Sequence, residues 1–176
     1  MQGFKLKAKR SQHEKVQTQM CKVKIYVSGA LTGIENSLLI KGFYQDIGLL
    51  CEEMGLQAYV PHLNTDPINN PDVSPYQVFE LDKHQVSTSN LVIAYLGYPA
   101  FGVGMELAYA EMRAIPIILL YEKDKRVSRF PRGIPTVFSE IQFNDYEDAL
   151  AQLKIVLGEW RGQQLTQSLS APSSSN

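Results

Sequence analysis

The stretch from Leu91 to Tyr121 reads LVIAYLGYPAFGVGMELAYAEMRAIPIILLY, and its pattern decides the fold. It begins with the continuous apolar run Leu91–Leu96 and ends with a second apolar run, Ile115–Tyr121. Runs of this kind are typical of strands that are buried on both faces. A helix is predicted between them from about Val103, after a turn that contains glycine. Two buried strands joined through a helix predict a parallel sheet.

The sequence on either side continues this alternation of strands and helices. Two more strands are predicted at Val23–Ser28 and Ala58–Val60, and the helix between them ends near Gly55. Another helix begins after Ser74, where the sequence Ser-Pro-Tyr-Gln predicts a capping box. The segment 61–71 is rich in proline and asparagine and predicts a long loop. The whole pattern predicts an α/β fold in which helices cover both faces of a parallel sheet.

The composition narrows the class of protein. The chain has 176 residues, of which 44% are hydrophobic and 20% charged, and this is typical of one globular domain. No apolar run reaches the roughly 20 residues that a membrane helix needs. The net charge of −1 gives no reason to expect a nucleic-acid partner. Cys21 and Cys51 lack the spacing of metal or redox sites. We therefore expect a cytoplasmic protein with no membrane partner.

Both ends of the chain are predicted to be disordered. Residues 1–21 carry an excess of lysine and arginine, which predicts a frayed basic arm that could also touch phosphates or acidic lipids. Residues 161–176 are polar and rich in serine and glutamine, which predicts a disordered tail. The folded domain is expected to span residues 22–160.

Glu106 is the carboxylate in the middle of the sequence FGVGMELAYA. Ligands of parallel α/β sheets bind at the carboxyl ends of the strands, and this sequence follows such a strand. We expect Gly102 and Gly104 to let the backbone approach a ligand closely, with Glu106 in the first turn of the helix. The alternative is a glutamate that serves only the helix dipole. The small residues around it favour a place in a ligand cleft.

Asp82 is the second unusual carboxylate. Helical spacing places it on the same face as Val78, Leu81 and Val86, which predicts partial burial. Burial raises the pKa of a carboxyl group and suits a group that handles protons. The alternative is an aspartate that is hydrogen-bonded to a nearby loop. Two carboxylates in one cleft are the minimum for cleaving a glycosidic bond with retention, one as nucleophile and the other moving protons.

Several other chemistries lack their motifs in this sequence. The segment GVGMEL has no third glycine of a dinucleotide-binding fingerprint, and neither a P-loop nor a GxSxG sequence occurs. His13, His62 and His84 are not clustered, so no metal site is predicted. We expect an enzyme that needs no metal and no cofactor.

Three segments together resemble the nucleoside 2-deoxyribosyltransferase family, which includes the 2'-deoxynucleoside 5'-phosphate N-hydrolases. They are KIYVSGALTG from Lys24, ELDKHQVSTSNLVIAYL from Glu80 and FGVGMELAYAEMRAIPIILLY from Phe101. The likeness covers about residues 23–121. It implies a single-domain, flavodoxin-like open sandwich with a five-stranded parallel sheet. It also implies a homo-oligomer in which a neighbouring subunit closes each site.

The site residues of the family carry over to this sequence by position. The resemblance implies that Glu106 is the nucleophile and forms a covalent deoxyribosyl-enzyme. It implies that Asp82 contacts the sugar or assists protonation of the base, and that Tyr26 positions Glu106 and the sugar. The expected substrate-binding residues are Ser28, Gly29, Asn90, Gly102 and Gly104.

Two departures from the family bear on the substrate. Asn90 stands where the family often has an acidic residue, which affects the choice of base. Ala30 and Thr32 stand where the nucleotide-hydrolase branch has Ser and Arg for a 5'-phosphate, and Ser28 could compensate only in part. This favours free nucleosides as substrates. Cleavage of 2'-deoxynucleoside 5'-monophosphates and non-catalytic nucleotide sensing are the alternatives.

Overall fold

The strands form one parallel sheet. The structure is a computed structural model that describes residues 23–66 and 70–170. Within them the sheet has five strands in the order β2-β1-β3-β4-β5, and every neighbouring pair is parallel. The strands are β1 (Lys24–Ser28), β2 (Gln57–Tyr59), β3 (Leu91–Tyr95), β4 (Ile117–Glu122) and β5 (Val137–Phe143). The predicted flavodoxin-like α/β architecture is therefore confirmed.

Helices occupy both faces of the sheet. They are α1 (Ser37–Glu53), α2 (His62–Thr65), α3 (Pro75–Ser87), α4 (Phe101–Met112), α5 (Arg129–Arg132) and α6 (Tyr146–Ser170). The helices α1 and α6 pack together on one face, and α3 and α4 pack together on the other. The predicted capping box is present at α3, where the Ser74 side chain accepts from the Gln77 backbone N–H and the Gln77 side chain accepts from that of Ser74.

Alternation along the strands divides the core into two layers. Ile25 and Val27 of β1 point to the layer under α1 and α6, whereas Tyr26 between them points to the layer under α4. The central strands β3 and β4 are buried along almost their whole length, as the apolar runs in the sequence predict. The strand β1 therefore presents every second side chain to the face that carries Glu106.

The last helix corrects the predicted boundary of the tail. The helix α6 continues from Tyr146 through Ser170, so residues 161–170 are helical rather than disordered. Trp160 is buried against the core, and the Arg161 side chain donates a hydrogen bond to the backbone carbonyl of Met54, so packing extends to the predicted start of the tail. The first proline beyond this point is Pro172, and nothing earlier excludes a helix.

Other parts of the sequence predictions differ in detail or cannot be compared. The predicted loop at 61–71 contains the short helix α2, and residues 67–69 of that loop lie outside the described residues. The predicted basic arm and residues 171–176 of the predicted tail lie outside them as well. No helix in the described part of the chain is long and apolar enough to cross a membrane.

Candidate active site

The carboxylate of Glu106 is held by two side chains of β1. The Tyr26 hydroxyl donates a hydrogen bond to Glu106 Oε1 at 2.8 Å, and the Ser28 hydroxyl donates to Oε2 at 2.5 Å. Tyr26 and Ser28 are both fully buried and lie two residues apart, so the strand directs both toward α4. Each oxygen of the carboxylate therefore has its own hydroxyl donor, which fixes the orientation of the group.

Glu106 lies one turn deeper in its helix than the sequence suggests. The helix α4 begins at Phe101, so Glu106 is in its second turn, and Gly102 and Gly104 lie inside the helix rather than in a turn before it. The effect of the helix dipole falls off within the first turn. The dipole argument for Glu106 is therefore wrong, and its environment has to be explained by burial and by hydrogen bonds.

Burial raises the pKa of Glu106 to about 7. Desolvation is the main cause, because a charged carboxylate loses hydration in this position, and the nearby carboxylate of Asp82 acts in the same direction. The hydrogen bonds from Ser28 and Tyr26 lower the pKa and offset part of this rise. Glu106 is therefore close to half ionised at neutral pH, which is a setting found at catalytic carboxylates.

Asp82 is the second carboxylate of the site. It is partly buried on α3, and the Tyr59 hydroxyl donates to its Oδ1 at 3.2 Å. Burial raises the pKa of Asp82, while the hydrogen bond from Tyr59 and the nearby Thr65 hydroxyl lower it. The partial burial expected from helical spacing is confirmed. Asp82 and Glu106 face the same cavity.

The cavity has a volume of about 640 Å³ and lies between the loop after β1, helix α3 and the start of α4. Both carboxylates line it, and among the described residues that line it Lys83 is the one cation. The Lys83 ammonium lies over the rings of Phe79 and Tyr109, at 5.0 Å and 5.5 Å from their centroids. A cavity of this size can enclose a nucleoside-sized ligand.

The structure brings most of the predicted site residues together. Gly29 and Gly102 line the cavity. Glycine is required at position 29, because a Cβ there would come within 2.3 Å of the Tyr44 ring. Gly104 instead lines a neighbouring cavity of about 880 Å³ on the other side of α4. Ser28 lies behind Glu106 and contacts it directly.

Asn90 does not lie at the site. It immediately precedes β3 and accepts a hydrogen bond from the backbone N–H of Lys24, the first residue of β1. Both residues are at the amino ends of their strands, whereas the cavity is at the carboxyl ends. Asn90 is therefore not among the residues that line the cavity, and its side chain pairs the starts of two strands.

Sequence reasoning missed Tyr59, Thr65 and Lys83. The sequence places Tyr59 in the second strand without indicating a function, although it is the strand partner of Tyr26. The register of β2 against β1 is the signal that could have found it, because aligned residues of parallel neighbours point to the same face. Lys83 adjoins Asp82 in the sequence and could have been tested as a cation of the cleft. In the described part of the chain, no group of histidine, cysteine, aspartate and glutamate side chains could hold a metal ion.

Several known proteins are similar to this chain in sequence or in fold. No family model matches the chain. A Thermofilum pendens protein provisionally named 2'-deoxynucleoside 5'-phosphate N-hydrolase 1 is 29% identical over 140 residues, which cover 77% of this chain and 95% of that protein. A second protein with this name, from Methanosarcina mazei, is 26% identical over 76% of this chain and 83% of its own length.

Solved structures share the fold at low sequence identity. A CMP N-glycosidase from Clostridium botulinum has a TM-score of 0.54 and 22% identity, over 74% of this chain and 97% of its own. A 2-deoxyribosyltransferase from Bacillus psychrosaccharolyticus has a TM-score of 0.55 and 16% identity, over 73% of this chain and 90% of its own. The sequence relatives and the shared fold lead to one conclusion: this chain is similar in sequence to proteins provisionally named 2'-deoxynucleoside 5'-phosphate N-hydrolase, and it shares its fold with a CMP N-glycosidase and a 2-deoxyribosyltransferase.

Proposed function

We propose that the chain cleaves the N-glycosidic bond of 2'-deoxyribonucleosides, with Glu106 as the nucleophile. The observation that carries the proposal is the double hydroxyl clamp on Glu106, at a cavity that a second carboxylate also faces. A carboxylate held by both oxygens loses little freedom in the reaction, and a preset geometry lowers the barrier. The names of the sequence relatives point to the same bond.

The first step transfers the sugar to the protein. A Glu106 oxygen attacks C1' while the bond from C1' to the base nitrogen breaks, and the bonding electron pair leaves with the base. Asp82, directly or through water, supplies the proton that the departing base takes up. Tyr26 and Ser28 contact Glu106 rather than the cavity, so they act as positioning residues. The product of this step is a deoxyribosyl ester of Glu106.

The second step releases the sugar. A second base or a water molecule attacks C1', the ester bond to Glu106 breaks, and Asp82 takes the proton that the attacking atom loses. Two displacements at C1' return the original configuration. Substrates without a 2'-hydroxyl reach the oxocarbenium-like transition state more easily, so we expect deoxyribosyl substrates to be preferred.

A 5'-monophosphate substrate is the second candidate. The relatives from Thermofilum pendens and Methanosarcina mazei are named for such substrates. In this cavity Lys83 is a cation with no ion-pair partner among the described residues, and it could meet a phosphate. Parallel assays of nucleosides and monophosphates separate the two candidates.

We further propose that two copies of the chain associate over α4. Phe101, Met105, Ala108 and Met112 follow helical spacing and are all exposed, which makes an apolar stripe. Phe101 and Met105 also line the cavity, so the stripe is continuous with the mouth of the site. A second copy on this stripe would cover both the apolar surface and the entrance to the cavity.

Product analysis by liquid chromatography tests the proposed activity. The protein is incubated with 2'-deoxynucleosides and their 5'-monophosphates, each with and without a free acceptor base. A new nucleoside that forms only with acceptor indicates transfer, and free base without acceptor indicates hydrolysis. Intact-protein mass spectrometry of quenched reactions should detect one added deoxyribosyl group on the wild-type chain.

The Glu106→Gln variant is the decisive comparison, because it keeps the shape of the side chain and removes the nucleophile. We expect its turnover to fall by about three orders of magnitude or more, with no added deoxyribosyl mass. The Glu111→Gln variant is a matched control on the exposed side of the same helix and should behave as wild type. Equal activity of both variants would refute the nucleophile assignment. Binding of intact nucleoside with no product in any assay would favour a sensing module.

A further inference from the structure

Two tyrosines on neighbouring strands stack beneath the site. Tyr26 of β1 and Tyr59 of β2 are Cα partners in the parallel register, so both side chains point to the face that carries α3 and α4. Their ring centroids are 5.6 Å apart with an interplanar angle of 19°. Stacking of this kind restrains both rings, and it therefore restrains the positions of the two hydroxyl groups.

The two hydroxyl groups serve different carboxylates. Tyr26 donates to Glu106 at 2.8 Å, and Tyr59 donates to Asp82 at 3.2 Å. A phenol carries one proton and can donate one strong hydrogen bond, so neither tyrosine can replace the other. A continuous row of contacts therefore joins the two carboxylates: Glu106 to Tyr26, Tyr26 to Tyr59, and Tyr59 to Asp82.

Tyr59 is the donor committed to Asp82. Thr65 is also close to this carboxylate, but its hydroxyl donates to the backbone carbonyl of Pro61 at 3.0 Å. A hydroxyl has one proton, so Thr65 cannot make both bonds as a donor at the same time. Tyr59 does not line the cavity, so its hydroxyl acts on the reaction through Asp82, whereas its ring acts through the stack with Tyr26.

We propose that Tyr59 is the positioning residue of Asp82, holding that carboxylate toward the bond that breaks in the way that Tyr26 holds Glu106. The proposal rests on the proposed function for its effect on turnover, but the contact itself does not. Without this donor, the Asp82 side chain can rotate away from the substrate, and the proton transfer it performs becomes slower.

The electrostatics of the cavity set the direction of the effect. Asp82 faces Tyr59 from β2, Tyr26 from β1 and Glu106 from α4, and Lys83 follows it on α3. Burial raises the pKa of Asp82, and the hydrogen bond from Tyr59 lowers it. Removal of that hydroxyl therefore raises the pKa of Asp82 further. The limb of the pH–rate profile that Asp82 controls should move to higher pH.

The Tyr59→Phe variant tests this with the ring stack retained. We expect kcat to fall on the order of tenfold, with KM changed by less than about threefold, because the substrate itself touches other groups. Asp82→Asn should abolish the effect, so that the double variant is no slower than Asp82→Asn alone. Tyr121→Phe is the matched control, because Tyr121 also donates to a carboxylate, Glu140, away from the cavity.

A titration that needs no substrate separates failure of this proposal from failure of the proposed function. Carbon-13 NMR of labelled aspartate side chains should show a higher pKa for Asp82 in Tyr59→Phe and no change in Tyr121→Phe. The pKa shift of Asp82 is expected even if wild type cleaves no nucleoside. Such a lack of activity would refute the proposed function but not the positioning role of Tyr59. An unchanged titration of Asp82 would overturn the proposal, as would an equal kcat loss by Tyr59→Phe in the Asp82→Asn background.

Discussion

At the scale of single residues, ionisation of Glu106 lowers the stability of the fold, although the proposed reaction needs the ionised carboxylate. Its pKa is about 7 in the folded chain and its ordinary value is 4.5, so between these values the folded state binds more protons than the unfolded state. Stability therefore decreases as pH rises from 4.5 to about 7 and stays at the lower level above it. The cost of ionising this buried carboxylate is therefore present at neutral pH, where the proposed nucleophile has to be ionised.

The Glu106→Gln variant should therefore be more stable than wild type at about pH 8 and much closer to it at about pH 5. The amide is uncharged at both values, and the hydroxyl groups of Tyr26 and Ser28 can still pair with it. We expect the melting temperature of Glu106→Gln at the higher pH to be about 5 °C above that of wild type. This value is smaller than the full pKa shift of Glu106 would give, because the carboxylate opens onto the cavity and is screened by solvent there.

Scanning calorimetry at the two pH values measures this, with Glu111→Gln as the control that removes a charge from an exposed position of the same helix. A rise that is equal at both pH values would contradict the argument, because it would not depend on ionisation of Glu106. The functional counterpart is the activity loss of the same variant, so one substitution should increase stability and remove turnover.

The site residues that the sequence predicts are those with a local pattern or a counterpart in the family. Glu106 stands out among small residues and Asp82 among apolar ones, whereas Tyr26 is identified through the family resemblance. Tyr59 has no such signal, because its function depends on which strand lies beside β1 and in which register. Asn90 is suggested by alignment position alone, and the structure places it at the other edge of the sheet.

At the scale of elements, the turn from β1 to α1 depends on close contact between Gly29 and Tyr44. Tyr44 is buried in α1, and its hydroxyl donates to the backbone carbonyl of Ala30 at 3.2 Å. Ala30 lines the cavity, so the tyrosine supports a wall of the site. A methyl group on Gly29 would overlap the ring, and the core around the ring leaves it little space to move.

We expect Gly29→Ala to destabilise the fold by about 2 kcal/mol or more, since overpacking of a core costs about 1–3 kcal/mol. Urea denaturation measures the loss. Gly42→Ala is the control, because Gly42 lies inside α1 and a methyl group added there would have nothing within 4 Å. Alanine there should stabilise the helix by about 0.5–1 kcal/mol. Equal stability of the two variants would show that the Tyr44 contact is not tight.

Elements with strong periodicity are predicted well from the sequence, and elements near glycine are not. The apolar runs of β3 and β4 and the capping box of α3 each have a physical cause that acts within a few residues. The glycines of α4 predict a turn, but this helix buries Val103, Leu107 and Ala110 against the sheet. Packing of that face outweighs the roughly 1 kcal/mol that each glycine costs inside a helix.

At the scale of the whole molecule, the sequence pattern predicts the parallel sheet but not its far edge. The strand β5 is implied only by the family resemblance, because its residues Val137–Phe143 are a mixture of buried, half-buried and exposed positions and form no apolar run. The extent of α6 is also missed, since its polar continuation has no helical periodicity of its own. Both features depend on neighbouring elements rather than on local sequence.

The apolar stripe of α4 gives the prediction that concerns the whole molecule. Phe101 is 97% exposed and Met112 is 75% exposed, which is a large cost for apolar side chains that stay in water. We expect wild type to sediment as a dimer or larger assembly. Met112→Lys should shift it toward the monomer, because a charge buried between two copies would lose its hydration.

Met112 does not line the cavity, so any activity lost with Met112→Lys reports on assembly rather than on direct contact with substrate. If a second copy closes the cavity, activity per chain should fall with dilution of wild type and be low for Met112→Lys at all concentrations. Ile155→Lys is the matched control, since Ile155 is 65% exposed on α6, on the opposite face of the sheet. A wild-type chain that stays monomeric at high concentration, or equal assembly of both lysine variants, would exclude α4 as the interface and leave the cavity open to solvent.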